Sequence, residues 1–207
     1  MRVAVDVDNV LADIISSARL TLAEDLDLPV DDIILTGIYH RPFGHPDPEI
    51  DAKLELDHAF WDRPEVILRC PVLPGALDAM NRLHQAGMLA GYVTRRPDAV
   101  REMTRQWHGV NAFPKAEMRF VGTTDASTTY AQCKSVACGE IGAGYLIDDH
   151  ADEFATARAA GVEVIVVDAD IGRDRRIAVL SLHPDATLAK SAAHAVDILM
   201  ERARMAA

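Results

Sequence analysis

The chain has 207 residues, 49% of them apolar and 26% charged, which suits one large domain, or one domain with an insertion, around a real core. Its 32 acidic and 21 basic residues give a formal net charge of −11. Because an acidic surface repels nucleic acid and anionic membranes, we expect neither a nucleic acid polymer nor a membrane as a partner. A small anionic substrate stays possible if its site carries local positive charge.

The cysteines and the N-terminus bear on location. Cys70, Cys133 and Cys138 are odd in number and lack the spacing of a disulfide framework. No apolar run approaches the roughly 20 residues that span a bilayer. The N-terminal run MRVAVDVDNV is too short and too acidic for a signal peptide. We therefore expect a cytoplasmic protein with reduced thiols, and the sequence does not indicate its oligomeric state.

Buried strands and helices alternate along most of the chain. In chain order, the apolar runs typical of buried parallel strands are Val3 to Val7, Met88 to Val93, Met118 to Val121, Tyr145 to Ile147 and Val162 to Val167. Helices are expected at Val10 to Leu26, Ile50 to Trp61, Pro74 to Gln85, Asp98 to Trp107, Thr129 to Cys138, Glu153 to Ala160 and Ala189 to Arg204. This alternation predicts an α/β fold, a three-layer doubly wound parallel sheet.

Residues 13–73 interrupt the alternation. They contain helical segments and a stretch rich in Pro and Gly, Arg41 to Glu49, which predicts a loop. We predict that residues 1–12 and 74–207 form a catalytic core and that residues 13–73 form a small helical cap. An insertion after the first strand would cover the carboxyl ends of the strands, where open α/β sheets bind their ligands.

Polar residues follow four of the predicted strands. In chain order they are Asp6 and Asp8, then Thr94, then Lys134 in the helix after the third strand, then Asp148 and Asp149. Carboxylates that meet at one sheet edge repel one another, and a divalent cation relieves the repulsion. Hard oxygen ligands with a few waters favour Mg²⁺. Asp149, with Asp148, would complete a metal shell that begins with Asp6.

These residue types suit the transfer of a phosphoryl group. Asp6 can bind the metal and attack phosphorus, which forms an aspartyl-phosphate. Asp8 can protonate the leaving oxygen and later deprotonate the incoming water. Thr94 offers a hydroxyl and a backbone amide to a phosphoryl oxygen, and Lys134 offers a fixed positive charge where transition-state charge is greatest.

The ordered motifs resemble those of the haloacid dehalogenase (HAD) superfamily over nearly the whole chain. DVDNVLAD resembles the first motif, DxDxxxxD, and Thr94, Lys134 and LIDDHAD resemble the second, third and fourth. The residues of these motifs most resemble those of the 5′(3′)-deoxyribonucleotidase branch, which also has a PGA near the end of the cap, as in LPGALDAM. The resemblance implies a Mg²⁺-dependent 5′-nucleotidase acting on deoxyribonucleoside monophosphates.

The resemblance also assigns the site residues. Asp6 would be the nucleophile and Asp8 the acid and base. Asp6, the backbone carbonyl of Asp8, and Asp149 with Asp148 would hold Mg²⁺. The phosphate would be bound by Thr94 and Lys134, with Arg95 and Asn9 as further candidates. Asn9 stands where many members have Gly, and Asn tolerates left-handed backbone angles well enough for the turn to survive.

Several alternatives stay open. The cap aromatics Tyr39, Phe43, Phe60 and Trp61 could stack on a nucleobase or could equally form the core of the cap. A HAD phosphatase for a sugar phosphate or other small metabolite is the nearest rival function. A phospho-signalling receiver domain has its acidic pair first, whereas here the pair comes last. A catalytically idle binding protein is disfavoured by the intact Asp6 and Asp8.

Overall fold

The computed structural model describes the chain except residues 39, 40, 55, 57, 123–129, 151, 152, 168–184 and 207. Its strands are β1 (Val3–Val5), β2 (Ile34–Ile38), β3 (Arg41–Gly44), β4 (Leu89–Pro97), β5 (Glu117–Gly122), β6 (Tyr145–Asp148), β7 (Glu163–Val167) and β8 (Thr187–Ala189). Its helices are α1 (Ile14–Leu26), α2 (Pro48–Asp51), α3 (His58–Trp61), α4 (Pro64–Leu68), α5 (Ala76–Gln85), α6 (Arg101–Val110), α7 (Tyr130–Glu140), α8 (Glu153–Ala159) and α9 (Ala192–Met205).

Six strands form one parallel sheet in the order β5-β4-β1-β6-β7-β8. Side chains of a strand alternate between the two faces, and β1 shows this clearly. Val3 and Val5 belong to a buried cluster with residues of α5 and α9, whereas Ala4 belongs to a second cluster with residues of α7 and α8. The sheet therefore lies between two helical layers, which confirms the predicted three-layer α/β fold.

The C-terminal part differs from the prediction in one element. Thr187–Ala189 forms β8 at the edge of the sheet, parallel to β7, although a helix was predicted to begin at Ala189. That prediction was wrong because the helix begins at Ala192, where the side chain of Ser191 accepts a hydrogen bond from the His194 backbone amide. Pairing with a distant strand decides the structure of so short a segment.

The insertion between β1 and β4 is mixed in structure and not purely helical. Arg41–Gly44, predicted to be loop, forms β3 and pairs antiparallel with β2. The single helix predicted at Ile50 to Trp61 was also wrong, because this stretch is divided between short helical turns. Helix α1 begins at Ile14 and not at Val10, since Asp13 caps it by accepting from the Ser16 amide.

The two ends of the insertion lie side by side. Ala12 forms an isolated bridge with Val72, and the Asp13 amide donates to the Pro71 carbonyl. This pairing is consistent with a unit joined to the core at one place. The boundaries of the cap at residues 13 and 73 stay a prediction. Among the described residues, no helix combines the length and the apolar character needed to cross a bilayer.

Candidate active site

Three carboxylates meet where β1 and β6 end. Val5 pairs with Ile147, and the Asp6 amide donates to the Ile147 carbonyl at 2.9 Å, so the residues that follow the two strands are neighbours. Asp6, Asp148 and Asp149 are all buried, and each offers one oxygen atom within 4.8 Å of the others. The topology thus brings Asp6 together with an adjacent pair of acids that is distant in the sequence.

Lys134 of α7 lies among these acids with no exposed surface. Its ammonium donates to Asp148 Oδ2 at 2.6 Å and lies 3.0 Å from Asp6 Oδ2. Burial raises the pKa of Asp6 well above its usual range; the nearby Lys134 lowers that pKa, and Asp148 and Asp149 raise it further. One ammonium among three buried carboxylates leaves a local excess of negative charge.

This excess is suited to a divalent cation. Asp6 Oδ1 is buried and has no hydrogen-bond partner among the described residues. A buried polar atom without a partner is costly unless a ligand satisfies it. Carboxylate oxygens are the hard ligands that Mg²⁺ prefers. The donor set therefore fits a divalent cation; that the ion is Mg²⁺ and that Asp6 and Asp149 hold it stay predictions.

Asp148 and Asp149 differ in their partners. Both oxygens of Asp148 accept hydrogen bonds, Oδ1 from the His150 amide at 2.8 Å and Oδ2 from Lys134. Asp149 Oδ2 accepts from Asn9 Nδ2 at 3.1 Å. Asp148 therefore anchors Lys134, and the assignment of Asp149 as the direct metal ligand stays a prediction.

Asn9 shapes the turn that follows Asp6 and Asp8. Its backbone has a left-handed φ of 56°, as its tolerance for such angles led us to expect. The amides of Leu11 and Ala12 both donate to the Val7 carbonyl and close the turn. The predicted contact between Asn9 and a phosphate stays a prediction, whereas its side chain orients Asp149 in this structure.

Thr94 and Arg96 lie close together near the end of β4, and both are buried. Thr94 is fully buried, and its hydroxyl oxygen accepts from the Arg96 backbone amide at 3.2 Å. A hydroxyl that accepts one hydrogen bond still has its own proton to donate, so Thr94 retains its suitability for a phosphoryl oxygen. The predicted contact of Arg95 with a phosphate stays a prediction.

Arg96 is the residue that sequence reasoning missed. Its Nη2 donates to Asp8 Oδ1 at 2.7 Å, and its Nε lies 3.2 and 3.1 Å from Oδ1 and Oδ2. The sequence has two adjacent arginines after Thr94 and does not indicate which of them pairs with Asp8. Asp8 is not in the group of three carboxylates around Lys134. Its carboxylate is bound to Arg96 instead, so the predicted metal contact of Asp8 concerns its backbone carbonyl and stays a prediction.

The described cap aromatics pack mainly inside the protein. Phe43 has no exposed surface and Phe60 is 8% exposed, and both belong to the larger hydrophobic cluster. Trp61 packs edge to face on Phe60, with the ring centroids 5.9 Å apart. Tyr39 lies outside the described residues. This packing favours a core role for Phe43 and Phe60, and stacking on a substrate stays a prediction for all four rings.

Comparison with known proteins gives a partial sequence match. No protein-family model matches the chain. Over 108 residues it is 26% identical to a protein of Oceanobacillus iheyensis named "Putative nucleotidase OB0422". The match covers 52% of this chain and 54% of that protein, so the chain spans about half the length of this relative.

Solved structures with this fold match along almost the entire chain. A HAD family hydrolase from Deinococcus radiodurans R1, with bound phosphate and sodium, has a TM-score of 0.62 and 18% identity, and the match covers 97% of this chain and 95% of that one. A D,D-heptose 1,7-bisphosphate phosphatase from B. bronchiseptica, complexed with magnesium and phosphate, has a TM-score of 0.56, 13% identity, and coverage of 98% and 99%. At 18% and 13% sequence identity, the similarity to these structures shows that the chain shares their fold, and it shows no more than that.

Proposed function

We propose that this chain, whose fold is that of the HAD hydrolases, is a Mg²⁺-dependent phosphatase that forms an aspartyl-phosphate on Asp6. One observation carries the proposal. Asp6, Asp148 and Asp149 form a buried group, the fully buried Lys134 contacts Asp6 and Asp148, and Asp6 Oδ1 has no hydrogen-bond partner in the described part of the chain. A cation relieves the repulsion within such a group and leaves the Asp6 carboxylate available to attack phosphorus.

Each residue near Asp6 has a use in this reaction. The Asp6 carboxylate attacks phosphorus, and the phosphoryl group is transferred to it from the leaving oxygen. Lys134 and the Thr94 hydroxyl offer positive charge and a hydrogen bond to the phosphoryl oxygens. A bound Mg²⁺ would be held by Asp6, Asp149 and the Asp8 carbonyl, and it would neutralise charge on the phosphoryl group.

Asp8 is the proposed general acid and base. Its side chain is 26% exposed, whereas that of Asp6 is 5% exposed, so Asp8 is accessible to a leaving group and to water. It would give a proton to the leaving oxygen as the monoester is cleaved. It would then take a proton from the water that hydrolyses the aspartyl-phosphate.

For the substrate, we propose a deoxyribonucleoside 5′-monophosphate. This substrate is supported by the partial similarity to the Oceanobacillus protein and by the residues of the first and last motifs. A sugar phosphate is the second candidate, because a phosphatase that shares the fold is named for a heptose bisphosphate. A panel of nucleotides and sugar phosphates separates the two, and equal turnover of both classes would remove the nucleotidase proposal.

A cytoplasmic location, without nucleic acid polymer or membrane partners, is part of the same proposal.

The phosphatase proposal is tested with Asp6→Asn. The amide is a poor nucleophile and a poor Mg²⁺ ligand, so we expect no measurable turnover and no labelled phosphate on acid-quenched enzyme. Wild-type enzyme should lose turnover in a chelator and regain it with Mg²⁺. Asp27→Asn is the matched control, because Asp27 is exposed and has a left-handed φ of 53° that Asn tolerates. Full activity in Asp6→Asn would remove the proposal.

A further inference from the structure

We propose that Arg96 is the positioning residue that fixes the carboxylate of Asp8 for proton transfer, an inference that rests on the proposed phosphatase function. The two side chains come from different strand ends, 88 residues apart in sequence. They form a paired contact in which the guanidinium engages both carboxylate oxygens. A carboxylate held at two points has a defined plane and direction, which a single flexible hydrogen bond would not give.

The two oxygens of Asp8 are held unequally. Oδ1 accepts from Nη2 at 2.7 Å and also lies 3.2 Å from Nε, whereas Oδ2 lies within hydrogen-bond distance of Nε alone, at 3.1 Å. Oδ1 is therefore the anchored atom. Oδ2 is the atom left to exchange a proton with a leaving oxygen or a water.

Arg96 is itself fixed from the other side. Its Nη1 donates to Thr104 Oγ1 at 3.1 Å, and Thr104 is fully buried on α6. Its guanidinium carbon lies 6.0 Å from the ring centroid of Trp107 on the same helix. Trp107 Nε1 donates to the Cys70 carbonyl at 2.7 Å, next to the end of the insertion. The side chain that orients Asp8 is thus held by two buried residues of one helix.

The burial of Arg96 argues against direct substrate binding. Its side chain is 5% exposed, and each of its three guanidinium nitrogens has a contact with Asp8 or Thr104. A phosphate could reach this guanidinium only by replacing Asp8 or Thr104. Arg96 therefore acts on the reaction through Asp8.

The shape of the guanidinium matters as much as its charge. Arg presents Nε and Nη2 as a rigid fork that matches the two oxygens of a carboxylate, whereas Lys is a point charge on a flexible stem. Arg96→Lys should therefore keep the charge and lose the fixed direction of Asp8. Arg96→Gln should lose both.

The experiment measures kcat/KM, which reports formation of the phosphoenzyme, for an alkyl phosphate and for an aryl phosphate with a good leaving group. An alkoxide needs the proton of the general acid, and a good aryl leaving group does not. General acid catalysis contributes roughly 10²- to 10⁴-fold, so Arg96→Gln should lower kcat/KM for the alkyl ester by about 100-fold or more. For the aryl ester, Arg96→Gln should lower kcat/KM by less than about 10-fold. The kcat/KM of Arg96→Lys for the alkyl ester should lie between those of wild type and Arg96→Gln.

A double-mutant comparison tests whether Arg96 acts through Asp8. In an Asp8→Asn background, adding Arg96→Gln should change kcat/KM for the alkyl ester by less than about twofold, because the group that Arg96 positions is already lost. Arg105→Gln is the matched control, since Arg105 is exposed on α6 beside Thr104 and its ion pair is with Glu102, away from Asp8. It should leave both substrates unchanged.

Thr104→Val provides a second route if Arg96→Gln does not fold. This variant keeps Arg96 and removes the hydroxyl that Nη1 contacts. Its kcat/KM should therefore fall severalfold more for the alkyl ester than for the aryl ester. Equal losses for the two esters, or a further large loss in the Asp8→Asn background, would overturn the assignment of Arg96. A wild-type protein that hydrolyses neither ester would instead count against the proposed function itself.

Discussion

The ammonium of Lys134 lies 3.0 Å from Asp6 Oδ2 although Lys134 has no exposed surface and Asp6 is only 4% exposed. The same ammonium donates to Asp148, so one lysine bridges acids at the ends of two adjacent strands. A buried ammonium is stable only when it is paired, and buried carboxylates are stable only near positive charge. Stability and the proposed chemistry therefore depend on the same contact.

Lys134→Met should unfold more easily and lose turnover. Removing one partner from a buried ionic group typically costs about 3–5 kcal/mol, because the remaining charges are left unpaired. The free energy of unfolding from urea titration at pH 7.5 measures the loss. Lys190→Met is the control, since Lys190 is exposed and should change stability by less than about 0.5 kcal/mol. Equal stability of the two variants would contradict the role of Lys134.

Mg²⁺ should stabilise the folded protein. The pKa of Asp6 is higher in the folded protein than in the unfolded chain. Proton binding to Asp6 therefore adds stability at pH values below the unfolded pKa, and this stability is lost as pH rises through the folded pKa. A bound cation offsets that loss, and the stabilisation amounts to about 2.7 kcal/mol at 100 times Kd. Thermal unfolding with Mg²⁺ or with chelator should show a higher Tm in Mg²⁺. Asp149→Asn should shrink the difference, and an unchanged difference would exclude Asp149 as a ligand.

His108 should make the free energy of unfolding depend on pH between the pKa of its imidazole in the folded protein and that in the unfolded chain. Burial lowers its pKa to about 4 from the usual 6.5, so the unfolded chain binds a proton that the folded protein excludes. Its contribution to stability is therefore complete above pH 6.5 and declines as pH falls toward 4, by about 2 kcal/mol between pH 7 and pH 5. His108→Phe keeps the stacking on Phe113, where the ring centroids lie 5.0 Å apart. Urea unfolding at the two pH values should show a smaller decline for the variant, and equal declines would refute this account.

Gly122→Ala should disturb the strand end that carries Arg96. A Cβ at Gly122 would lie 2.2 Å from the Arg95 carbonyl oxygen and 2.5 Å from the Pro97 nitrogen, so the backbone of β4 would have to shift. Overpacking of this kind typically costs about 1–3 kcal/mol, and we expect kcat/KM to fall as well. Urea unfolding and steady-state kinetics measure the two effects.

Gly109→Ala is the matched control for that substitution. A Cβ at Gly109 meets no atom within 4 Å, and the residue lies inside α6. Ala is a better helix former than Gly by up to about 1 kcal/mol, so this variant should be as stable as wild type or slightly more stable. A Gly122→Ala variant with the same behaviour would show that β4 tolerates the shift.

The core strands and the converging acids were predictable from sequence because both follow from local rules. Buried parallel strands are short apolar runs, and parallel neighbours end at one edge, so Asp6 and Asp148 had to be close once β1 and β6 were adjacent. Lys134 belongs to the same set, since α7 connects β5 to β6 and carries it to that edge. Its complete burial could not be predicted, because most lysines are exposed.

The remaining features depend on partners that are distant in the chain. β3 exists because Arg41–Gly44 meets β2, and β8 exists because Thr187–Ala189 lies beside β7. Neither segment has an intrinsic pattern strong enough to indicate a strand, since strand propensity reflects packing and pairing more than the residue itself. The packing of Phe43 and Phe60 was left equally open by sequence for the same reason.

The sequence by itself determined the layered α/β fold and the set of acids at the ends of the strands, because burial patterns and strand direction are encoded locally. Only the tertiary structure decided that the guanidinium of Arg96 pairs with Asp8. That choice depends on which face of β4 is turned toward Asp8, and a contact across 88 residues is set by the packing of whole elements.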